Sequence, residues 1–341
     1  MTADPPPHDP AIVLDLIEGF RRSKVMFTAV ALGIFDALEA RPRTSADLAA
    51  DLNLHPSALT RLLYAAVGLK LLDRRGDDYA NTPAASTFLC KQSPIPMTGY
   101  INYSNIALWK LWGNLEGAIR EGTHRWKETF GWDAPIFSNF FHSEAEKREF
   151  LMGMHGFGLI SSPRIVEAFD LGRFRRLVDL GGATGHLAIA ACRHYPNLRA
   201  AVFDLPAATP LAKEVVGASP VADRMEIIAG DFFTDQLPEA DLYALGRILH
   251  DWSEDKCVAL LTRIIDRLPS GGGLLVAEKL LDDDRRGPAW AHMQDVNMLL
   301  CTEGRERTLG EYEELLKRVG FAEVQGARTG APTDAVLAIK A

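Results

Sequence analysis

The chain has no apolar run near the roughly 20 residues a membrane-spanning helix requires, so no transmembrane segment is expected. It has only four cysteines in 341 residues, Cys90, Cys192, Cys257 and Cys301, and none has a CxxC or His–Cys spacing that would hold zinc. A reduced, cytoplasmic protein without a metal site is therefore expected. Basic residues are in deficit: 37 Lys and Arg against 45 Asp and Glu give a formal charge of −8, which argues against a nucleic-acid partner bound through its phosphates. The opening MTADPPPHDP lacks the basic and apolar blocks of a secretory signal, and residues 1–10 read as a disordered tail. Internal repeats and long low-complexity tracts are also absent.

What is present is dominated by one string, LVDLGGATGH over Leu177–His186. It reads as a buried strand ending in an acid, a glycine turn, and a helix that starts near Leu187. Such a turn lets a ligand approach the backbone, and the helix N-terminus behind it offers free N–H donors. The next strand, AAVFDLP, ends in Asp204, about 20 residues beyond the glycines, where a ribose diol would be gripped. A third strand, MEIIAGDFF, ends in Gly230, Asp231 and Phe232, which can hold an adenine edge and cover its face.

From Phe169 onward strands and helices alternate. Strands are predicted at Leu177–Leu180, Ala200–Asp204, Met225–Ala229, Leu242–Leu245, Gly273–Glu278, Ala322–Gly326 and Ala335–Lys340. Helices are predicted at Leu187–His194, Lys256–Leu268 and Leu309–Val319. The fold class is α/β, a Rossmann-like doubly wound, mostly parallel sheet, over residues 166–341.

Residues 11–100 read as a separate helical domain. Within it, from Thr44, the order helix, turn, helix and hairpin makes a winged-helix pattern. Its second helix offers mainly Arg61 and Lys70, too little charge to read DNA, so it reads as a packing and dimerisation element. Residues 101–165 are helical, connect the two domains, and carry many aromatics, most of them expected in the core and some lining the acceptor pocket.

Two cofactor classes suit the glycine turn. Dinucleotide binders usually show GxGxxG, whereas GGATGH has no extra glycine or basic residue for a pyrophosphate, and Gly-Asp-Phe suits an adenosine without phosphates. S-adenosylmethionine is the expected cofactor. The fourth strand runs into GRILHDW, which places His250 and Asp251 at the edge where such sheets bind ligands. Glu278 ends the fifth strand, and Glu306 lies in the GRERT loop. An imidazole with carboxylates can deprotonate a hydroxyl, one carboxylate fixing its tautomer and stabilising the imidazolium. Taken singly, a histidine at a strand end is more often a satisfied structural residue, and Glu306 could simply pair with Arg305 or Arg307.

The strings DLGGATG, VFDLP, GDFFTDQLPEADLY, RILHDW, GGGLLVAEKLLDDDRRGP, LCTEGRERT and DAVLAIK together resemble the plant-type, class I small-molecule O-methyltransferases, and within them the acetylserotonin-type branch. Upstream, GFRRSKVMFTAVALGIFDAL and the winged-helix segment match too, so the resemblance covers nearly the whole chain. It implies His250 as general base, flanked by Glu278 and Glu306. It implies S-adenosylmethionine contacts at Gly181, Asp204, Gly230, Asp231, Phe232 and Arg247, and an acceptor near Asp251 and Asn297. It also implies a metal-independent homodimer formed through the N-terminal domain. Cys301 stands where acetylserotonin enzymes carry a substrate-contacting Gln, Phe141 where they carry a Tyr, and Gly158 where they carry a Trp.

Two other functions fit the residues. A thioether acceptor needs no base, so the chain could be an S-methyltransferase for a small methylthio acid, with Arg247, His142 or His155 anchoring the carboxylate. A winged-helix regulator with a nucleoside ligand is the non-enzymatic reading, and the acidic charge opposes it.

Overall fold

The computed structural model describes residues 9–131 and 143–341. The chain divides into two compact units between Ile106 and Ala107, so all but the first residues of the aromatic segment group with the α/β unit. Trp132, Phe137, Phe140, Phe141 and His142 lie outside the described residues. Among the described residues no helix is long and apolar enough to cross a membrane.

The first unit opens with α1 (Ala11–Ala31) and α2 (Ile34–Glu39), joined through Gly33 in the left-handed region. The short β1 (Arg43–Thr44) leads into α3 (Ser45–Asp51), which Thr44 caps by accepting from the Asp47 N–H. Then come α4 (Pro56–Gly68), the hairpin β2 (Leu72–Arg75) and β3 (Asp78–Asn81), α5 (Pro83–Phe88) and α6 (Thr98–Tyr103). Ile34, Phe35, Leu48, Leu59 and Leu63 form its core. The outer face of α1 is different: Ile12, Val13, Leu14, Leu16, Ile17 and Phe20 are all exposed.

The second unit begins with the short helices α7 (Trp109–Trp112), α8 (Leu115–Glu121) and α9 (Trp126–Phe130). A long helix, α10 (Glu144–Glu167), follows, capped by Ser143. Next come β4 (Arg176–Leu180), α11 (His186–His194), β5 (Arg199–Asp204), α12 (Thr209–Gly217), β6 (Met225–Ala229), β7 (Leu242–Gly246) and α13 (Glu254–Arg267). The chain ends with β8 (Gly273–Glu278), β9 (Leu280–Leu281), α14 (Ala289–Cys301), β10 (Arg307–Thr308), α15 (Leu309–Arg318), β11 (Phe321–Ala327) and β12 (Asp334–Lys340).

The main sheet has seven strands in the order β11-β12-β8-β7-β4-β5-β6. The pairs β4–β5, β4–β7, β5–β6 and β7–β8 are parallel, while β12 pairs antiparallel with β8 and β11 with β12. The central strands alternate their apolar residues between two covered faces. Val178, Leu180, Phe203, Leu245 and Val276 pack with α13 and α15, and Leu177, Val202, Leu242 and Leu275 pack with α11. Burial on both faces is why these strands read as continuous apolar runs. The order in which strands are laid down reverses across the sheet between β4 and β7. That switch point opens a crevice beyond their carboxyl ends, at Gly181 and Gly246.

Two helices add to those the sequence predicts, α12 and α14. The second is hidden by its composition: α14 is AWAHMQDVNMLLC, with no acid in its first turn, no base in its last and no side-chain cap.

Candidate active site

The glycine turn is built by exclusion. Gly181 sits at φ 68°, and a Cβ there would lie 2.5 Å from Ile248 and 3.3 Å from Phe232. Gly185, at φ 78°, faces Val202 at 2.8 Å, and Gly182 faces the Asp179 carboxylate at 2.7 Å. Larger residues would fill the crevice or break the turn. Asp204 holds the turn from the next strand: one carboxylate oxygen accepts the Ala183 N–H at 2.7 Å and the other the Leu205 N–H at 2.7 Å. Burial raises its pKa to about 6 against those two hydrogen bonds. Burial likewise lifts Asp179 to about 7, with the Asp204 charge adding to it.

The third strand end is tied to the second, because the Gly230 N–H donates to the Asp204 carbonyl at 2.9 Å. Gly230 is a packing requirement here: a Cβ would stand 2.4 Å from the Phe203 ring. Asp231 accepts from the Phe233 N–H at 2.8 Å, and Phe232 meets Phe233 edge to face at 4.8 Å. Thus Gly181, Asp204, Gly230, Asp231 and Phe232 are gathered along neighbouring strand ends. Each Asp204 oxygen accepts one backbone N–H and keeps lone-pair capacity for a diol. This set fits an adenosine cofactor.

Arg247 leaves β7 at φ 58°, and its guanidinium packs over Phe157 at 5.5 Å. Its Nε is buried with no hydrogen-bond partner among the described residues. Three residues further, His250 is buried in a one-turn 3-10 helix (Leu249–Asp251).

The two glutamates expected beside His250 do different work. Glu278 takes hold of the backbone: its Oε1 accepts from the N–H groups of Ile248 (3.0 Å), Leu249 (2.7 Å) and His250 (3.3 Å). Its Oε2 accepts from the Tyr312 hydroxyl. Glu306 meets the imidazole, with Oε1 2.7 Å from Nδ1. Its own N–H donates to Asp295 at 2.9 Å. A few residues on, a capping box at Thr308 and Glu311 fixes the start of α15. The remaining nitrogen, Nε2, lies 3.7 Å from Asp251 Oδ1.

Burial is the largest single influence on His250 and lowers its pKa. The charges of Glu306, Asp251 and Glu278, with the Glu306 hydrogen bond, outweigh it and raise the pKa to about 9. Donor atoms of His250, Glu278 and Glu306 lie within 4.8 Å of one another, close enough to bracket a metal ion. Their capacity is largely engaged by the protein, however. Among these carboxylate oxygens only Glu306 Oε2 is buried without a partner.

Asn297 and Cys301 share one face of α14. The Asn297 carbonyl accepts from the Trp112 indole at 2.9 Å, and the Cys301 thiol stands 3.8 Å from the same oxygen. The Trp126 indole donates to the Cys301 carbonyl at 2.9 Å. Burial, then the Asp251 charge, raises the Cys301 pKa, so this position stays a neutral thiol. Sequence reasoning missed Tyr312 and Asp295. Only Tyr312 had a usable signal, as a polar-tipped residue on the apolar face of α15.

A doubly wound sheet with a phosphate-free adenosine crevice, and a His–Glu pair at the adjoining strand end, define a class I S-adenosylmethionine-dependent methyltransferase. Residues 112–322 match the O-methyltransferase domain and residues 14–91 the O-methyltransferase dimerisation domain, and the chain belongs to that O-methyltransferase family. It is 42% identical to acetylserotonin O-methyltransferase of Bos taurus over 97% of either chain. It is 40% identical to a probable bifunctional dTTP/UTP pyrophosphatase/methyltransferase protein of Homo sapiens, matching 98% of this chain and spanning 54% of that longer one. The structure of human N-acetylserotonin methyltransferase in complex with SAM superposes with a TM-score of 0.93 at 39% identity, covering 99% of each chain. PigF with SAH superposes at 0.88 with 26% identity, covering 98% of this chain and 100% of that one.

Proposed function

We propose that the protein transfers a methyl group from S-adenosylmethionine to the hydroxyl of a small aromatic molecule, of hydroxyindole or phenol type, with His250 as general base. The observation that carries this reading is the 2.7 Å contact between His250 Nδ1 and Glu306. A carboxylate on Nδ1 keeps the proton there and leaves Nε2 with the lone pair that accepts the acceptor's proton. Glu278 sets where that nitrogen stands by gripping the backbone of Ile248, Leu249 and His250. Gly181, Asp204, Gly230, Asp231, Phe232 and Arg247 hold the cofactor, which supplies an electrophilic sulfonium methyl group. Asp251 and Asn297 orient the acceptor. No metal is needed, because the base is a side chain and the electrophile is already activated.

The exposed apolar face of α1, inside the region matching the dimerisation domain, supports a homodimer. The cysteine pattern supports a cytoplasmic location, and the hairpin after α4 supports a winged-helix arrangement.

The test is a labelled-methyl transfer screen across indoles, phenols, hydroxy acids and methylthio acids. The expected result is product from an aromatic hydroxyl compound, falling at least about a hundredfold in His250→Ala while cofactor binding persists. Turnover of a methylthio acid that survives His250→Ala would replace this reading with S-methylation.

A further inference from the structure

One polar cluster in the second unit has no part in the chemistry above. It lies where α10 crosses the glycine turn. The His186 imidazole, on the first residue of α11, occupies a notch in α10 at Gly158: a Cβ on Gly158 would fall 2.2 Å from the ring. Its Nδ1 is 2.9 Å from the Ser162 hydroxyl. One turn along α10, His155 Nδ1 is 2.8 Å from the hydroxyl of Thr184, a residue of the glycine turn itself. The two rings stand 6.4 Å apart, edge to face.

Hydroxyl chemistry fixes the tautomers. Ser162 and Thr184 are buried, and each hydroxyl has a single partner among the described residues, the imidazole Nδ1. If the ring donated instead, each hydroxyl hydrogen would be buried unpaired, at a cost of about 1–3 kcal/mol. The hydroxyls therefore donate, Nδ1 accepts, and the ring proton sits on Nε2. Neither Nε2 has a partner among the described residues. Burial keeps both rings neutral, lowering His155 and bringing His186 to about 3 with the His155 and Arg247 charges assisting. Arg247 is thus within electrostatic reach, and its guanidinium too has no hydrogen-bonding acceptor among the described residues. Two neutral N–H donors and one cation, all lacking acceptors, stand over the turn that receives the cofactor.

We propose that His155 and His186 bind the carboxylate of the cofactor's amino-acid tail through their Nε2–H groups, with Arg247 supplying the compensating charge. An anion suits a wall of donors that has no acceptor, and the notch at Gly158 exists to admit the ring. The inference rests on the cofactor alone and holds whichever acceptor is methylated.

The test is calorimetric and needs no turnover. S-adenosylhomocysteine carries the amino-acid tail; methylthioadenosine has the same nucleoside without it. His186→Leu is expected to weaken S-adenosylhomocysteine about tenfold or more and to leave methylthioadenosine unchanged, the loss of one hydrogen bond to a charged group. Equal weakening of both ligands would make the ring a brace of the glycine turn and overturn the proposal, as would unchanged binding of both. If His186→Leu lowers the melting temperature, His155→Leu, on the partner ring, carries the same comparison. Failure of the wild type to bind methylthioadenosine would count against the nucleoside site instead.

Discussion

Burial alone would strip the proton from His250, yet three nearby carboxylates hold it on up to about pH 9. As the proposed base, charged at neutral pH, His250 must lose that proton before it can work. kcat/KM is therefore expected to climb as pH rises toward about 9. Glu306→Gln removes the charge nearest the ring, so the climb moves to lower pH while the plateau falls about a hundredfold. A pH–rate profile of the variant that overlays the wild type would remove His250 from the mechanism. The same raised pKa carries a stability sign: its contribution is complete below the unfolded value of about 6.5 and is lost as pH rises through 9. His250, Glu278 and Glu306 were legible in the sequence because each sits at a strand end or in a short polar string. Asp295 and Tyr312 were not. Each acts by holding another residue, and that pairing depends on how α14 and α15 pack.

The short β10 and the helix α15 show how an element serves a side chain. Thr308 closes β10 and caps α15, its hydroxyl accepting from the Glu311 N–H while the Glu311 carboxylate accepts from the Thr308 N–H. Glu306 lies two residues upstream. Thr308→Ala is expected to cost about 1 kcal/mol of stability, read as a lower melting temperature. It should also reduce kcat with little change in cofactor affinity, because the slackened cap frees Glu306. A variant with full kcat would separate the cap from catalysis. Strands in this chain announced themselves through apolar runs. The helix α14 stayed hidden because its pattern, buried at Ala291, Gln294, Asn297, Met298 and Cys301, mixes polar residues into the covered face.

For the molecule as a whole, the sequence conveyed the alternation of strands and helices but not the strand order, since pairing β4 with both β5 and β7 is a long-range choice. That choice creates the crevice. Assembly is testable at the same scale. With six large apolar residues exposed along α1, Leu16→Glu with Ile17→Glu is expected to halve the sedimenting mass. An undiminished mass would place the contact elsewhere. His250 and the helix carrying Asn297 and Cys301 are, finally, joined at one point, because Glu306 meets His250 Nδ1 while its own N–H donates to Asp295 of α14. Glu278 hangs the histidine turn from the central sheet, whereas α14 is tethered by the indoles of Trp112 and Trp126. Gln294, Asn297 and Cys301 can therefore vary while Glu278 still holds the His250 turn and Asp295 still holds Glu306. A combinatorial library at Gln294, Asn297 and Cys301 would explore new acceptors from a background that still turns over.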